Sequence, residues 1–153
     1  MLAFPALGSP SAQGLVIYPP GEACDVAFDC RRRHHGQAAI DNGDGGQSRG
    51  DVCVGDGVRA NLAALTRGGG RGINIGTGIE TSVNTLFRTL RDLSGSGQQE
   101  IHGPAMPGEQ RRSCLENRLA LDELGWYPEV FLEEGLARTY SFFRETTKAT
   151  DTW

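Results

Sequence analysis

Residues 43 to 65, GDGGQSRGDVCVGDGVRANLAAL, place a loop, a strand and a helix in direct succession. The loop is rich in glycine and ends at Arg49. Glycines let a backbone approach a ligand closely, and an arginine can engage a phosphate through two parallel hydrogen bonds. The same composition is also typical of a solvent-exposed turn with an incidental arginine. The loop alone therefore supports two interpretations, an anion-binding loop and an ordinary surface turn.

The second part of the stretch predicts a strand followed by a helix. Val52 to Val54 form a short β-branched run that favours a strand. Asp56 lies where a helix N-cap is expected. Val58, Leu62 and Leu65 recur at helical spacing, so they predict the buried face of that helix.

The pattern of strands and helices continues to the C-terminus and predicts an α/β fold. Gly125 and Pro128 mark the end of one of the predicted helices. The predicted elements are a strand in INIGTG, a helix capped by Thr81 or Ser82 with the stripe Val83, Leu86, Leu90 and Leu93, weak strands in EIHGPA and RRSCLE, a short helix after Asn117 with Leu119, Leu121 and Leu124, and a last helix from Glu133 to about Arg144 with Leu136, Tyr140 and Phe143 inward.

Composition excludes several classes of protein. The chain has 153 residues, enough for one domain or part of one. The net charge of −4 and a pI of about 5.3 argue against nucleic-acid binding. Without a long apolar run or a basic N-terminal region, neither a transmembrane helix nor a secretory signal is expected. We therefore expect a cytoplasmic protein whose four cysteines are reduced thiols.

Three segments in order resemble a known family, the NAD-dependent epimerases and dehydratases of the extended short-chain dehydrogenases, and most of all UDP-glucose 4-epimerases. The segments are the opening stretch, INIGTGIETSVNTLF, and PGEQRRSCLEN followed by LGWYPEVFLEEGLARTYSFFR. The resemblance covers residues 43–144 well and residues 18–42 weakly. It implies an α/β fold that is the C-terminal, substrate-binding part of such an enzyme, without the N-terminal Rossmann half.

Two family features are missing from this chain. The family has an NAD-binding G-x-x-G-x-x-G fingerprint and a Tyr-x-x-x-Lys pair that carries the acid–base chemistry. Here GGGRGINIG follows a helix and precedes a strand, and the lone lysine, Lys148, follows no tyrosine at that spacing. We therefore assign no catalytic residue and expect the isolated chain to bind no NAD and to be inactive. Full-length family members use NAD, act on UDP-sugars or related nucleotide sugars, and are usually homodimers.

The resemblance assigns two substrate-binding residues. Arg49 matches the family's loop arginine that contacts the nucleotide diphosphate, and Glu109 matches the acidic residue of an R-P-G-[DE] motif that holds the ribose hydroxyls. The arginine that opens this motif is replaced by Met106. Because a thioether cannot replace a guanidinium on phosphate, the resemblance implies weakened binding unless nearby Arg111 or Arg112 compensates.

The N-terminal segment departs furthest from the family. Asp25, Asp29, Arg33 and His34 stand where the family has apolar residues. We therefore expect residues 1–42 to be a degenerate, poorly organised remnant, residues 43–144 to form the nucleotide-sugar-binding part, and residues 145–153 to be a frayed tail. Two alternatives to an epimerase part stay open: a non-catalytic UDP-sugar-binding module and a non-functional gene remnant.

Other chemical motifs favour structural interpretations. The spacing of Cys24, Cys30, His34 and His35 does not fit a zinc knuckle, so no metal site is assigned. We expect Trp126 to pack rather than to stack on a base, Cys114 to be an inert thiol, and Asp56 to cap a helix rather than to act as a general base. Glu80 and Glu109 are not expected to act as a carboxylate pair.

Overall fold

The computed structural model describes residues 11–13, 16–17 and 38–150, with side chains from residue 38 to residue 145. The elements in chain order are β1 (Ser11–Gln13), β2 (Val16–Ile17), β3 (Ile40–Asn42), β4 (Ser48–Arg49), β5 (Val52–Cys53), α1 (Val54–Ala64), β6 (Gly72–Asn74), β7 (Thr81–Ser82), α2 (Val83–Ser94), β8 (Ile101–Gly103), β9 (Arg112–Ser113), α3 (Arg118–Leu124) and α4 (Leu132–Thr150). The predicted α/β fold is confirmed.

The strands form small sheets, of which three contain two parallel strands each, β1 with β6, β2 with β5 and β3 with β8. The fourth sheet has the order β7-β4-β9, with β4 antiparallel to β7 and parallel to β9. In that sheet Arg49 pairs with Thr81 on one side and with Ser113 on the other. Three distant segments of the chain therefore meet at the end of the glycine-rich loop.

Helix α1 differs from its prediction in both its start and its buried face. It begins at Val54, and Asp56 lies in its first turn rather than at the N-cap, which is Cys53. The buried residues are Asp56 and Ala60, whereas the predicted face, which includes Leu62, lies in solvent. A small residue lets the helix approach the strands closely, and the Asp56 carboxylate is buried with hydrogen-bond partners, a possibility that an apolar pattern does not reveal.

Helix α2 follows its prediction closely. The Ser82 side chain caps it by accepting a hydrogen bond from the Thr85 backbone N–H at 3.1 Å. The predicted stripe is buried with the exception of Leu93, which is 40% exposed. It packs against α4, where Leu136 and Phe143 complete the same apolar cluster, as predicted, with Tyr140 packed beside them.

We expect Ser82→Ala to lower the free energy of unfolding by about 1 kcal/mol, because the first turn of α2 loses its side-chain acceptor. Ser82→Gly should lower the free energy of unfolding by only about a few tenths of a kcal/mol, since glycine leaves the Thr85 backbone N–H accessible to water. Urea denaturation followed by circular dichroism measures both variants. An alanine variant as stable as the wild type would show that the cap contributes nothing.

A second apolar cluster lies between α1, α3 and the strands β5 and β6. It contains Val52, Ile73, Leu124 and Trp126, all buried. The Trp126 Nε1–H donates to the main-chain oxygen of Asp56 at 2.9 Å. Trp126 is therefore a packing residue, as its position after a helix end predicts.

Helix α3 ends as predicted, but its buried face is only partly the predicted one. Gly125 closes the helix in the left-handed conformation at φ 65°. Leu124 is buried together with Ala120, whereas Leu121 is 52% exposed. The small Ala120 faces the second cluster because α1 lies close by, as in the case of Ala60.

The last helix, α4, runs from Leu132 to Thr150 and passes the predicted end at Arg144, since residues 145–150 contain neither glycine nor proline. The charged positions at 25, 29, 33 and 34 and the cysteine–histidine motif lie outside the described residues. The division into residues 1–42, 43–144 and 145–153 stays a prediction.

Candidate functional site

The glycine-rich loop is held in one conformation by its neighbours. Gly43 and Gly45 adopt positive φ angles of 67° and 63°, which favour glycine. A Cβ atom on Gly45 would lie 1.8 Å from the Asn84 Oδ1 atom, so a larger residue there would displace the Asn84 side chain. The Gly43 N–H donates to the Gly103 carbonyl, and the Asn84 N–H donates to the Gly45 carbonyl. The loop is therefore an ordered structure rather than a free surface turn.

The structure brings Arg49 and Glu109 together. The Arg49 Nη1 donates to the main-chain oxygens of Ser48 and Gln110, at 2.9 and 2.8 Å. The Arg49 Nη2 lies 3.4 Å from the Glu109 Oε1, and the two side chains are 18% and 26% exposed. Two carbonyl acceptors fix the plane of the guanidinium, so its Nη2 faces a carboxylate at the surface. This arrangement presents a donor and an acceptor side by side.

Arg111 and Arg112 each form an ion pair with a carboxylate. Arg111 binds Asp44 through two hydrogen bonds of 2.6 and 2.9 Å. Arg112 binds Glu80 through its Nε at 3.1 Å and its Nη2. The Arg111 guanidinium holds the pKa of Asp44 well below its usual range, and Arg112, with the Ser48 hydroxyl, lowers the pKa of Glu80. Each arginine therefore already has an ionised partner.

Met106 stands where the resemblance places an arginine, and methionine brings no charge to this position. Met106 is 59% exposed, in the turn that precedes Glu109. Arg111 and Arg112 instead form ion pairs with Asp44 and Glu80 at the surface. The guanidinium available for an anion next to Glu109 is that of Arg49.

Two other residues considered from the sequence play no part at this surface. All nearby donors to the buried Asp56 carboxylate come from Arg59 and from the backbone of Glu129 and Val130, so it joins two segments of the fold. Burial raises the pKa of the Cys114 thiol, which favours its protonated form. Asp56 therefore has a structural role, but not the predicted role of an N-cap, and the inertness of Cys114 stays a prediction.

A mostly apolar cavity lies elsewhere, between β5, the segment after β6 and the start of α4. Cys53, Ile79, Phe131 and Thr139 are among its lining residues, and neither Arg49 nor Glu109 lines it. In the part of the chain that the structure describes, no group of three or more metal-ligating side chains converges. The same part has no helix of the length and apolarity needed to cross a membrane.

Comparisons with known proteins show which proteins this chain is similar to in sequence and fold. UDP-glucose 4-epimerase of Mycolicibacterium smegmatis is 39% identical over 132 residues, which is 85% of this chain and 42% of that protein. The crystal structure of the Thermotoga maritima UDP-glucose 4-epimerase with UDP-glucose superposes with a TM-score of 0.85, at 39% identity over 90% of this chain and 46% of that one. The homologues of this chain at 37–39% identity are UDP-glucose 4-epimerases. The chain corresponds to the C-terminal part of these proteins. No protein-family profile matches the chain.

A further solved structure extends the likeness to a cofactor-bound enzyme. The Thermus thermophilus UDP-glucose 4-epimerase in complex with NAD has a TM-score of 0.78 at 26% identity, and 88% of this chain matches 46% of that one. The chain thus spans less than half the length of these relatives. The resemblance to the C-terminal part of an extended short-chain dehydrogenase is confirmed.

Sequence reasoning missed the partners that hold the loop. Asp44, Glu80 and Asn84 each contact the loop or its arginines across more than 30 positions of chain. No local pattern marks such pairs, although Asp44 follows directly on a glycine that must turn the chain. An alternation of acids and arginines around the loop was the one available signal.

Proposed function

We propose that this chain is the substrate-binding part of a nucleotide-sugar epimerase or dehydratase, most similar to UDP-glucose 4-epimerase. Arg49 contacts the diphosphate of a UDP-sugar, and Glu109 accepts hydrogen bonds from the ribose hydroxyls. The observation that supports this proposal is the convergence of Arg49 and Glu109, 60 positions apart, at one ordered glycine-rich loop. We further propose that the protein is cytoplasmic and, as in the family, a homodimer.

The contact between Arg49 and Glu109 is compatible with exchange of partners. A contact of 3.4 Å between Arg49 Nη2 and Glu109 Oε1 is at the upper limit of a hydrogen bond, so its loss costs little. The Nη1 stays on its two main-chain acceptors, which keeps the guanidinium in place while an Nη2 N–H exchanges the Glu109 carboxylate for a phosphate oxygen. A fixed guanidinium loses less entropy on binding than a free one.

The Gly68–Gly70 cluster does not fit the glycine fingerprint of a dinucleotide site. A dinucleotide site needs glycines between a strand and the N-terminus of a helix. Here Gly68 to Gly70 follow α1 and precede β6, which is the reverse order. The Thermus thermophilus relative binds NAD. We propose that the NAD site of these enzymes lies in the part of the relatives outside the matched region.

Calorimetric titration with UDP, UDP-glucose and uridine tests the binding proposal. If Arg49 meets the diphosphate, UDP should bind at least about tenfold more tightly than uridine, since each charge-assisted contact contributes roughly 1.5–3 kcal/mol. Equal affinities for UDP and uridine would contradict the assignment. Absence of any binding would favour the alternative of a non-functional remnant.

A coupled assay for interconversion of UDP-glucose and UDP-galactose tests the second part of the proposal. We expect no turnover by the isolated chain in the presence of NAD, because it contains no Tyr-x-x-x-Lys pair. UDP binding without turnover is expected of both a substrate-binding part and a non-catalytic module. The two alternatives differ when the part of a relative outside the matched region is supplied. Recovery of activity would then indicate a substrate-binding part of an epimerase rather than a non-catalytic module.

We expect Met106→Arg to strengthen UDP binding by about tenfold, because it adds a guanidinium beside Glu109 where Arg111 and Arg112 are occupied. Leu121→Arg, a substitution of similar exposure on α3, is the matched control for added positive charge. Isothermal titration at two salt concentrations separates a specific contact from general attraction. Equal gains for the two variants would show that position 106 does not face the diphosphate.

A further inference from the structure

The Glu80 side chain, directly before β7, links the three strands of the β7-β4-β9 sheet. Its Oε2 accepts a hydrogen bond from the Ser48 hydroxyl at 2.8 Å and another from the Arg112 Nε at 3.1 Å. Its Oε1 accepts from the Arg112 Nη2. Ser48 belongs to β4 and Arg112 to β9. One carboxylate therefore connects the central strand to both of its neighbours.

Glu80 binds the face of this sheet that does not carry the Arg49 side chain. Successive side chains of a strand point to opposite faces, so Ser48 and Arg49 lie on different faces. Ser48 is paired with Arg112, and Arg49 is paired with Ser113. Paired residues share a face, so the two partners of Glu80 lie together on the face opposite to Arg49.

The Arg49 guanidinium depends on the same two strands that Glu80 joins. Its Nη1 donates to the carbonyl of Ser48 in β4 and to the carbonyl of Gln110, two residues before β9. The separation of β4 and β9 therefore sets the distance between these two acceptors. Both strands are two residues long, so few backbone hydrogen bonds fix that separation. A side-chain link beside the Ser48 carbonyl therefore has a large influence on it.

We propose that Glu80 is a positioning residue, which holds the Arg49 guanidinium in its binding orientation by tying Ser48 to Arg112. Its relevance to ligand binding rests on the proposed UDP site. A carboxylate near a phosphate repels it, so electrostatics alone predicts that removal of the Glu80 charge strengthens UDP binding. Loss of positioning predicts the opposite, because a misplaced guanidinium binds phosphate less well. The sign of the change in affinity therefore separates the two explanations.

Nitrogen-15 NMR of the arginine side chains in the full chain tests the positioning without any ligand. An Nη1 held by two carbonyls restricts rotation of the guanidinium, so the wild type should give resolved Arg49 Nη–H signals, which are assigned by their loss in Arg49→Met. Glu80→Gln should broaden them. Glu123→Gln is the matched control, because Glu123 is 34% exposed against 35% for Glu80 and also pairs with an arginine. The control should leave the Arg49 signals unchanged.

Calorimetric titration with UDP and uridine gives the second readout. We expect Glu80→Gln and Ser48→Ala each to weaken UDP binding by about fivefold and to change uridine binding by less than about twofold. Ser48→Ala removes one contact of the link without changing a charge. In an Arg49→Met background, Glu80→Gln should have no further effect on UDP, because the group that it positions is absent.

The outcomes distinguish failure of this inference from failure of the proposed function. Unchanged Arg49 signals in Glu80→Gln, tighter UDP binding, or equal effects of Glu80→Gln and Glu123→Gln would overturn the positioning role. Both Glu80→Gln and Ser48→Ala should keep the wild-type melting temperature within about 4 °C, and a larger fall in both would assign Glu80 to overall stability instead. If the wild type binds no UDP but the Arg49 signals respond as expected, the proposed function fails and the positioning of Arg49 by Glu80 stands.

Discussion

Replacement of Asp56 by alanine is expected to lower the free energy of unfolding by about 3 kcal/mol. The Asp56 side chain is 2% exposed and accepts hydrogen bonds from Arg59 Nη2 at 2.8 Å and from the backbone N–H groups of Glu129 and Val130 at 3.1 Å. Alanine leaves these two backbone donors without their acceptor, and each part-buried unsatisfied group costs roughly 1–3 kcal/mol. The Arg59 contact adds less, since that side chain is 37% exposed.

Urea denaturation of the Asp56→Ala variant measures this loss. Asp122→Ala is the matched control, because its carboxylate is 62% exposed and its ion pair with Arg118 spans 3.9 Å. We expect the control to change stability by no more than about 0.5 kcal/mol. Equal effects of the two substitutions would mean that the segment from Tyr127 to Val130 is held by something other than the Asp56 carboxylate.

Replacement of Arg49 by methionine is expected to weaken UDP binding by 10- to 100-fold, which corresponds to about 1.5–3 kcal/mol. Methionine keeps much of the length of the side chain but removes the donors. Arg111 and Arg112 are paired with Asp44 and Glu80, so a shift of either arginine to the phosphate would break an ion pair and reduce the expected loss. Uridine has no phosphate, so its affinity should change far less than that of UDP.

Two further variants make the Arg49 result specific. Arg49→Lys keeps the charge but cannot hold two main-chain carbonyls and face a phosphate in one plane, so we expect a loss between those of the wild type and the methionine variant. Arg138→Met, on α4 and 61% exposed, removes a charge far along the chain and should leave binding unchanged. Equal losses for UDP and uridine in Arg49→Met would indicate a distorted loop instead of a lost phosphate contact.

The sequence predicted the helices that pack by large apolar residues. In α2, Val83, Leu86 and Leu90 are buried at helical spacing, and Ser82 is the cap. In α4, Leu136 and Phe143 face the same cluster. Bulky residues that bury much surface dominate the packing of such helices, so their spacing is informative.

The prediction failed for α1 because its inner side is made of small and charged residues. Ala60 is fully buried. Asp56 is buried as well, because hydrogen bonds from Arg59 and from the backbone N–H groups of Glu129 and Val130 offset the cost of removing its carboxylate from water. A pattern search finds the larger leucines and assigns them to the core. It cannot show that they lie on the opposite, exposed side of the helix.

The candidate site divides in the same way. Arg49 and Glu109 were found through a resemblance, since nothing local connects residues 60 positions apart. The pairs Asp44–Arg111 and Glu80–Arg112 were not predicted, because they depend on how β4 lies between β7 and β9. Those pairs place the Arg111 and Arg112 guanidiniums next to Asp44 and Glu80.

The order of strands β7-β4-β9 also determines when the site can form during folding. Arg49 must find Thr81 on one side and Ser113 on the other, so two long loops close before the central strand is paired. Loop closure of this length is slow compared with formation of α2 or α3. If the proposed UDP site is correct, a nascent chain should gain affinity for UDP only after residue 113 has left the ribosome. Ligand binding can therefore serve as a late marker of folding in this chain, whereas helix content reports only its earlier steps.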